Sequence, residues 1–198
     1  MYELILSMAC TCNIIYRQYN SDIERWDKSM IETKRINIVK ATEADIETII
    51  ELESHKDNRA FLWIGTYEEH KAEIADKNHL LLVFKLKENS IIIGFALIRL
   101  DYKSHIFELR RIAISEKGKG YGKEVMIALI KYAFEEKDTN RFWLDVYPDN
   151  IIGINLYEGL GLHCEGILRQ NYKSERGYLD QIIYSMLKSE YLQMQNFQ

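Results

Sequence analysis

Apolar residues recur along the chain in two periods, and the switches between those periods mark out its elements. RINIVK (residues 35–40) alternates apolar with polar, the pattern of a half-buried strand. ATEADIETIIELE then changes to the helical period. Ile46, Ile49 and Ile50 share one face, Glu53 ends that stripe, and Leu52 sits off to one side. Thr42 is placed to cap this helix, with Asp45 in the capping-box position, and a second Thr-x-x-Glu box predicts another helix from Thr66 with Glu69. HLLLVFKLK and SIIIGFALIRL are dense in β-branched and aliphatic residues and are joined at ENS, so they predict a hairpin. In the next strand, HIFELRRIAIS, alternation puts Glu108, Arg110 and Ile112 on one face.

YGKEVMIALIKYAFEE returns to helical spacing, with Val125, Leu129, Tyr132 and Ala133 on one side. RFWLDVY predicts a strand, NIIGINLYEGL a short helix, and HCEGILRQNYK and GYLDQIIYSML two closing strands. The order is β-α-α-β-β-β-α-β-α-β-β, a mixed α/β domain. Residues 1–34 fit this scheme poorly: a weak alternation at Tyr2, Leu4 and Leu6 gives way to the polar SDIERWDKS. The chain is therefore divided into an N-terminal extension, 1–34, and one domain, 35–198.

Composition narrows the classes. A net charge of −4 argues against a nucleic-acid-binding surface and mildly favours cationic partners. Cys10, Cys12 and Cys164 form neither a disulfide framework nor a metal-ligand spacing, which suits reduced thiols in the cytoplasm. The histidines include no i,i+4 pair, so no metal is expected. No apolar run approaches the ~20 residues of a membrane span, and MYELILSMAC lacks the basic start of a signal peptide.

The densest chemical signal is EKGKGYGKEV. Gly118, Gly120 and Gly122 interleave with Lys117, Lys119 and Lys123 directly before a helix. Glycines let the backbone approach a ligand, and a helix start offers free N–H groups to an anion, so a phosphorylated ligand is indicated. Two familiar loops fail on spacing. A Walker A loop would need glycine at Lys117 and Ser or Thr at Glu124, and the dinucleotide fingerprint would need glycine at Lys123. A Gly/Lys-rich turn with no ligand would read the same way in isolation.

Context decides between these readings. The element order, the loop KGKGYG (Lys117–Gly122) and the later N-IIG-INL-Y-EGL-GL, from Asn150 through Tyr157 to Leu162, together resemble the GNAT superfamily of acetyl-CoA-dependent N-acetyltransferases. The resemblance spans about residues 35 to 189. Lys117 replaces the family's usual Gln or Arg, Gly153 its alanine and Leu162 its phenylalanine. The wording of ELRRIAI and LYEGLGLHCEGILR is closest to the ribosomal-protein and polyamine N-acetyltransferase branch.

That resemblance implies a mixed, mostly antiparallel sheet, splayed between its fourth and fifth strands and flanked by helices. It also implies that Lys117, Gly118, Lys119, Gly120, Tyr121, Gly122 and Lys123 hold the pyrophosphate of acetyl-CoA, with Asn150 contacting the same co-substrate. Backbone amides from Ile112, Ala113 and Ile114 are the expected oxyanion donors. The partner expected is an amine, as a small molecule or peptide, and a homodimer is left open. The alternative is a coenzyme-A-binding regulatory module without catalysis.

Transfer to an amine needs a base, because an alkylammonium has a pKa near ~10.4, and it benefits from an acid at the departing thiolate. Tyr157 is the expected acid, and packing of the short helix is its competing role. For the base, Glu108 and Asp145 each match an acidic position used within the superfamily; a water chain or plain ion pairing with Arg110 or Arg111 are the other options. Phe61, Trp63 and Tyr67 fall where an acceptor wall is expected, with cation–π attraction or core packing as their roles.

Overall fold

The computed structural model describes residues 30–174 and 176–196; what the sequence suggested for residues 1–29 lies outside them. The strands pair edge to edge as β1 (Ile31–Glu32), β2 (Ile36–Lys40), β3 (His79–Leu86) and β4 (Ile92–Asp101). They continue as β5 (Ile106–Ile114), β6 (Arg141–Val146), β7 (His163–Ser174) and β8 (Gly177–Leu187). The helices are α1 (Ile46–Ser54), α2 (Tyr67–Ala75), α3 (Tyr121–Lys131), α4 (Ile151–Gly159) and α5 (Lys188–Gln195). A 3-10 turn (Glu43–Asp45) leads into α1, and α3 runs on into a π turn, Tyr132–Glu136.

One sheet results, in the order β1-β2-β3-β4-β5-β6-β8-β7, and among its pairs only β5 with β6 is parallel. This is the expected mixed, mostly antiparallel architecture. Its two faces have separate cores. On one, Phe84, Phe107 and Phe142 pack beneath Val125 and Leu129 of α3 and Tyr157 of α4, with the Phe107 and Phe142 rings stacked at 5.3 Å. On the other, Val39, Leu81, Phe95 and Leu97 meet Ile49 and Leu52 of α1. Both capping boxes form: the Thr42 amide donates to Asp45 at 2.8 Å and the Thr66 amide to Glu69 at 2.8 Å.

Two features depart from the periodicity reading. Leu52 points inward rather than aside, and Glu53 continues the buried face instead of ending it. In β5 the simple alternation fails. Leu97 faces Arg111 while Ile98 faces Leu109, so Arg110 is the extra residue of a β-bulge. Phe107 and Leu109 before the bulge, and Ile112 and Ile114 after it, all pack on the α3 side, whereas Ala113 packs on the α1 side. Ile112 therefore does not share a face with Glu108.

The alternation also gave no sign of β1 or α5. Residues 30–34, grouped above with the extension, lie on the sheet: Met30 donates to Ile38 at 3.0 Å and Ile31 pairs with Ile38. A two-residue strand has no period to detect. Helix α5 buries one side chain, Tyr191, so it has no apolar stripe.

Glu53 is tolerated in the interior because it is fully partnered. Its carboxylate accepts from Arg111 at 2.7 Å, from the Gly65 amide at 2.8 Å and lies 3.1 Å from His70 Nε2. His70 Nδ1 lies 3.0 Å from Glu73, which also binds Arg111. Two carboxylates, a guanidinium and an imidazolium thus cancel in a buried cluster that ties α1 and α2 to the bulged end of β5. Burial alone would lower the His70 pKa, but the hydrogen bonds it donates to Glu53 and Glu73 outweigh it and lift it to about 9.

A raised imidazole pKa means that the folded state holds its proton more tightly than the unfolded one. The contribution is complete below 6.5 and is lost as pH rises through about 9. We predict a urea midpoint that declines across that window, and a flatter profile in His70→Gln. A wild-type midpoint that does not change between those pH values would contradict it.

Candidate active site

The cleft originates where β5 and β6 part. They pair only from Ile106–Leu109 against Arg141–Leu144. Beyond that point β5 stays on β4 through Ile114, while β6 stays on β8 through Val146. These are the fourth and fifth strands counted from Arg35, and their divergence gives the expected splay. The edge of β5 from Arg110 to Ile114 that faces β6 carries no strand. Ala113 and Ile114 have buried side chains, so only their backbone is available there. A cavity of about 1020 Å³ fills the opening, with Ile112, Lys117, Asp145, Asn150 and Tyr157 on its wall.

The glycine loop meets this cavity at Lys117, while Gly118, Lys119, Gly120, Tyr121, Gly122 and Lys123 are not on its wall. Gly118 and Gly120 have φ of +77° and +79°, left-handed values that glycine adopts without strain, and Gly120 caps α3. The first amides of α3 have no intrahelical acceptor, and they lie at the positive end of the helix dipole. Tyr121 contributes only its amide, since its ring is buried beneath the Arg35 guanidinium at 4.3 Å. Lys117 donates to Asn58 at 2.8 Å, and partial burial lowers its pKa. Lys119 pairs with Glu116, and Lys123 is exposed.

A clamp invisible to local sequence reading holds this loop. Arg35 Nε donates to Glu124 at 2.7 Å and Nη1 to the Lys119 carbonyl at 3.0 Å. Thr33 donates to the other Glu124 oxygen at 2.7 Å. The turn between β1 and β2 is thereby fastened across the start of α3. Burial works against the charge on Glu124, but these bonds outweigh it and keep its pKa below the ordinary carboxylate value.

The middle of the cleft holds the ionisable groups. Burial, with the charge of Glu108 behind it, pushes Asp145 up to about 6, against the hydrogen bond it accepts from Gln181. Gln181, on β8, was not singled out by sequence; only the strand register brings it beside Asp145. Glu108 has a different environment: Arg99 on β4 holds it at 3.0 Å, and Arg110 lies 3.9 Å from its other oxygen. Arg111, a suggested partner for either carboxylate, is taken by Glu53 and Glu73.

Tyr157, on α4, is buried with its ring 6.1 Å from that of Tyr184. Burial, and then the charge of Asp145, pushes its phenol well above the ordinary value, so it stays protonated at neutral pH. Asn150 accepts from the Gly153 amide at 3.0 Å as the cap of α4. A Cβ on Gly153 would approach that side chain to 3.0–3.2 Å, which accounts for glycine at this position. Phe61 and Trp63 line the cavity; Tyr67 is not on its wall.

With this geometry in view, the comparisons with known proteins agree. The sequence pattern of the acetyltransferase (GNAT) family matches residues 40–162, well over half of the chain. The chain belongs to the acetyltransferase (GNAT) family and is an acyltransferase of the N-acetyltransferase type. Among its relatives is p20 of Bacillus licheniformis, described as an uncharacterized N-acetyltransferase. The two are 36% identical over 74 residues, which are 37% of this chain and 42% of that protein. A spermine/spermidine N(1)-acetyltransferase of Bacillus subtilis (strain 168) is 29% identical over 146 residues, 69% of this chain and 93% of that one. In fold, the chain is similar to the spermidine N-acetyltransferase of Vibrio cholerae crystallised with CoA and spermine. The TM-score is 0.71 at 20% identity, over 79% of this chain and 98% of that one. Among the described residues no helix is long and apolar enough to cross a membrane.

Proposed function

We propose that this chain moves an acetyl group from acetyl-CoA directly to a primary amine on a peptide N-terminus, a polyamine or another small amine. The observation that carries this reading is that a half-buried carboxyl, Asp145, and a buried phenol, Tyr157, stand on the wall of one cavity at the opening between two parting strands, where burial raises both pKa values. The glycine loop suits the pyrophosphate of the co-substrate, with Lys117, Lys119 and Lys123 supplying charge and the α3 amides supplying donors. The names of relatives that act on polyamines support an amine as acceptor.

In this scheme Asp145, rather than Glu108, accepts the proton of the incoming ammonium, directly or through one water. The amine nitrogen then bonds to the acetyl carbon while the backbone edge of Ile112–Ile114 stabilises charge on the carbonyl oxygen. As the carbon–sulfur bond breaks, Tyr157 gives its proton to the departing sulfur; the nitrogen sheds its second proton to the phenolate, and Asp145 releases its own to solvent. A non-catalytic coenzyme-A module would have no use for a carboxyl poised near neutrality.

Two measurements test this reading. Acetyl-CoA at 100 times its Kd adds about 2.7 kcal/mol to the stability of the folded state, whereas ATP gives no comparable rise. No rise in Tm at millimolar acetyl-CoA rejects the reading. Arg35→Ala loosens the loop clamp and raises KM for acetyl-CoA about three- to tenfold while kcat stays within about twofold. An unchanged KM would make the clamp a structural contact only.

A further inference from the structure

The scheme above leaves the far end of the acceptor unassigned, and the charges along the cleft address it; the inference rests on the acetyltransferase reading. Among the described residues, four of the five carboxylates on the cavity wall are held by a hydrogen bond or a close ion pair, and Asp57 is the exception. Glu73 is held by Arg111 and His70, Glu69 by the Thr66 amide and hydroxyl, and Asp145 by Gln181. Asp57 lies 3.8 Å from the imidazole of His55 and within the field of Lys117. Glu108 is held by Arg99.

Arg110 is different. It is the bulge residue of β5, so it stands out from the strand into the cleft, and its side chain is 45% exposed. The carboxylate oxygen it approaches is 3.9 Å away, on a glutamate that Arg99 already holds at 3.0 Å. A second cavity of about 320 Å³ shares Glu108 and Trp143 with the first and has Arg99 on its wall. Of the other charges there, Arg141 is held bidentately by Glu165, and Asp101 accepts from the Lys103 and Ser104 amides. Beside Glu108 the cleft therefore sets two arginines, Arg99 and Arg110, and Arg110 also lies within the field of Asp145. A carboxylate entering there finds a guanidinium whose nearest protein carboxylate oxygen is 3.9 Å away, which leaves its fork open.

We infer that the acceptor is an amine bearing a carboxylate of its own, an amino acid or a close derivative, and that Arg110 determines this specificity. Binding to the complex with coenzyme A, measured by calorimetry, separates this from the polyamine alternative without requiring turnover. The probes are the pairs phenylalanine with phenethylamine and lysine with cadaverine, with spermidine as the polycation. The carboxylate member of each pair binds at least about tenfold tighter than its decarboxylated counterpart and than spermidine. Arg110→Gln cuts that advantage to below about twofold, with Tm and coenzyme A affinity retained, and Arg110→Lys recovers part of it. Equal binding within both pairs, tighter binding of spermidine, or an advantage that survives in Arg110→Gln overturns the inference. Failure of the wild-type protein to bind coenzyme A overturns the acetyltransferase reading and this inference with it.

Discussion

Tyr157→Phe is expected to lower kcat by about 10² or more while leaving the affinity for acetyl-CoA intact. The substitution removes one oxygen and keeps the ring, which packs in the main core 6.1 Å from Tyr184. A residue whose only task is packing predicts the reverse, near-normal turnover with at most a small loss of stability. The raised pKa of this phenol keeps its proton in place at every pH where the amine is reactive, which is compatible with the acid role, while it also makes the phenol a weaker donor. Steady-state rates and a direct Kd on this one variant decide between the two, and full activity would end the acid assignment.

Asp145→Asn is expected to have an effect of the same order, about 10²-fold or more on kcat/KM, and to increase stability. The sign follows from its raised pKa. Between 3.8 and about 6 the folded state binds more protons than the unfolded one, so this carboxyl opposes folding once it is ionised. Asparagine is uncharged throughout and still offers an oxygen to Gln181. Wild-type kcat/KM should fall below about pH 6, and the variant should lack that limb. Glu108→Gln provides the contrast: its carboxylate is already spent on Arg99, and the loss should stay within about fivefold. A larger loss in Glu108→Gln than in Asp145→Asn would reverse the assignment of the base.

The sequence alone carried those parts of the fold whose cause is local. Alternation located RINIVK and HIFELRRIAIS, β-branched and aliphatic density located the hairpin between them, the boxes at Thr42–Asp45 and Thr66–Glu69 located two helix starts, and the glycines before Tyr121 marked the loop. What stayed hidden depends on distant partners. The bulge at Arg110 is a property of the register between β4 and β5, so strict alternation along one strand put Ile112 on the wrong face. The clamp joins Arg35 to Glu124 across 89 positions, and Gln181 reaches Asp145 across 36. Glu53 read as the polar end of a stripe because neither Arg111 nor His70 is near it in sequence.

The same limit applied to the ionisable groups. Glu108 and Asp145 were both acidic candidates on neighbouring strands, Glu108 the first choice; the structure pairs Glu108 with an arginine and sets Asp145 half-buried beside Gln181. Tyr157 was placed by its motif position rather than by any periodicity, and the structure adds that it lies on the wall of the same cavity as Asp145.

The central claim, that this cleft transfers acetyl groups to amines, is tested most directly by following free thiol and acetylated amine together in one reaction. The protein is incubated with acetyl-CoA, with and without a panel of amino acids, peptides and polyamines. The account predicts thiol release that requires an amine and matches the acetylated product one for one. Tight binding of acetyl-CoA with no amine-dependent thiol release from any member of the panel would contradict it.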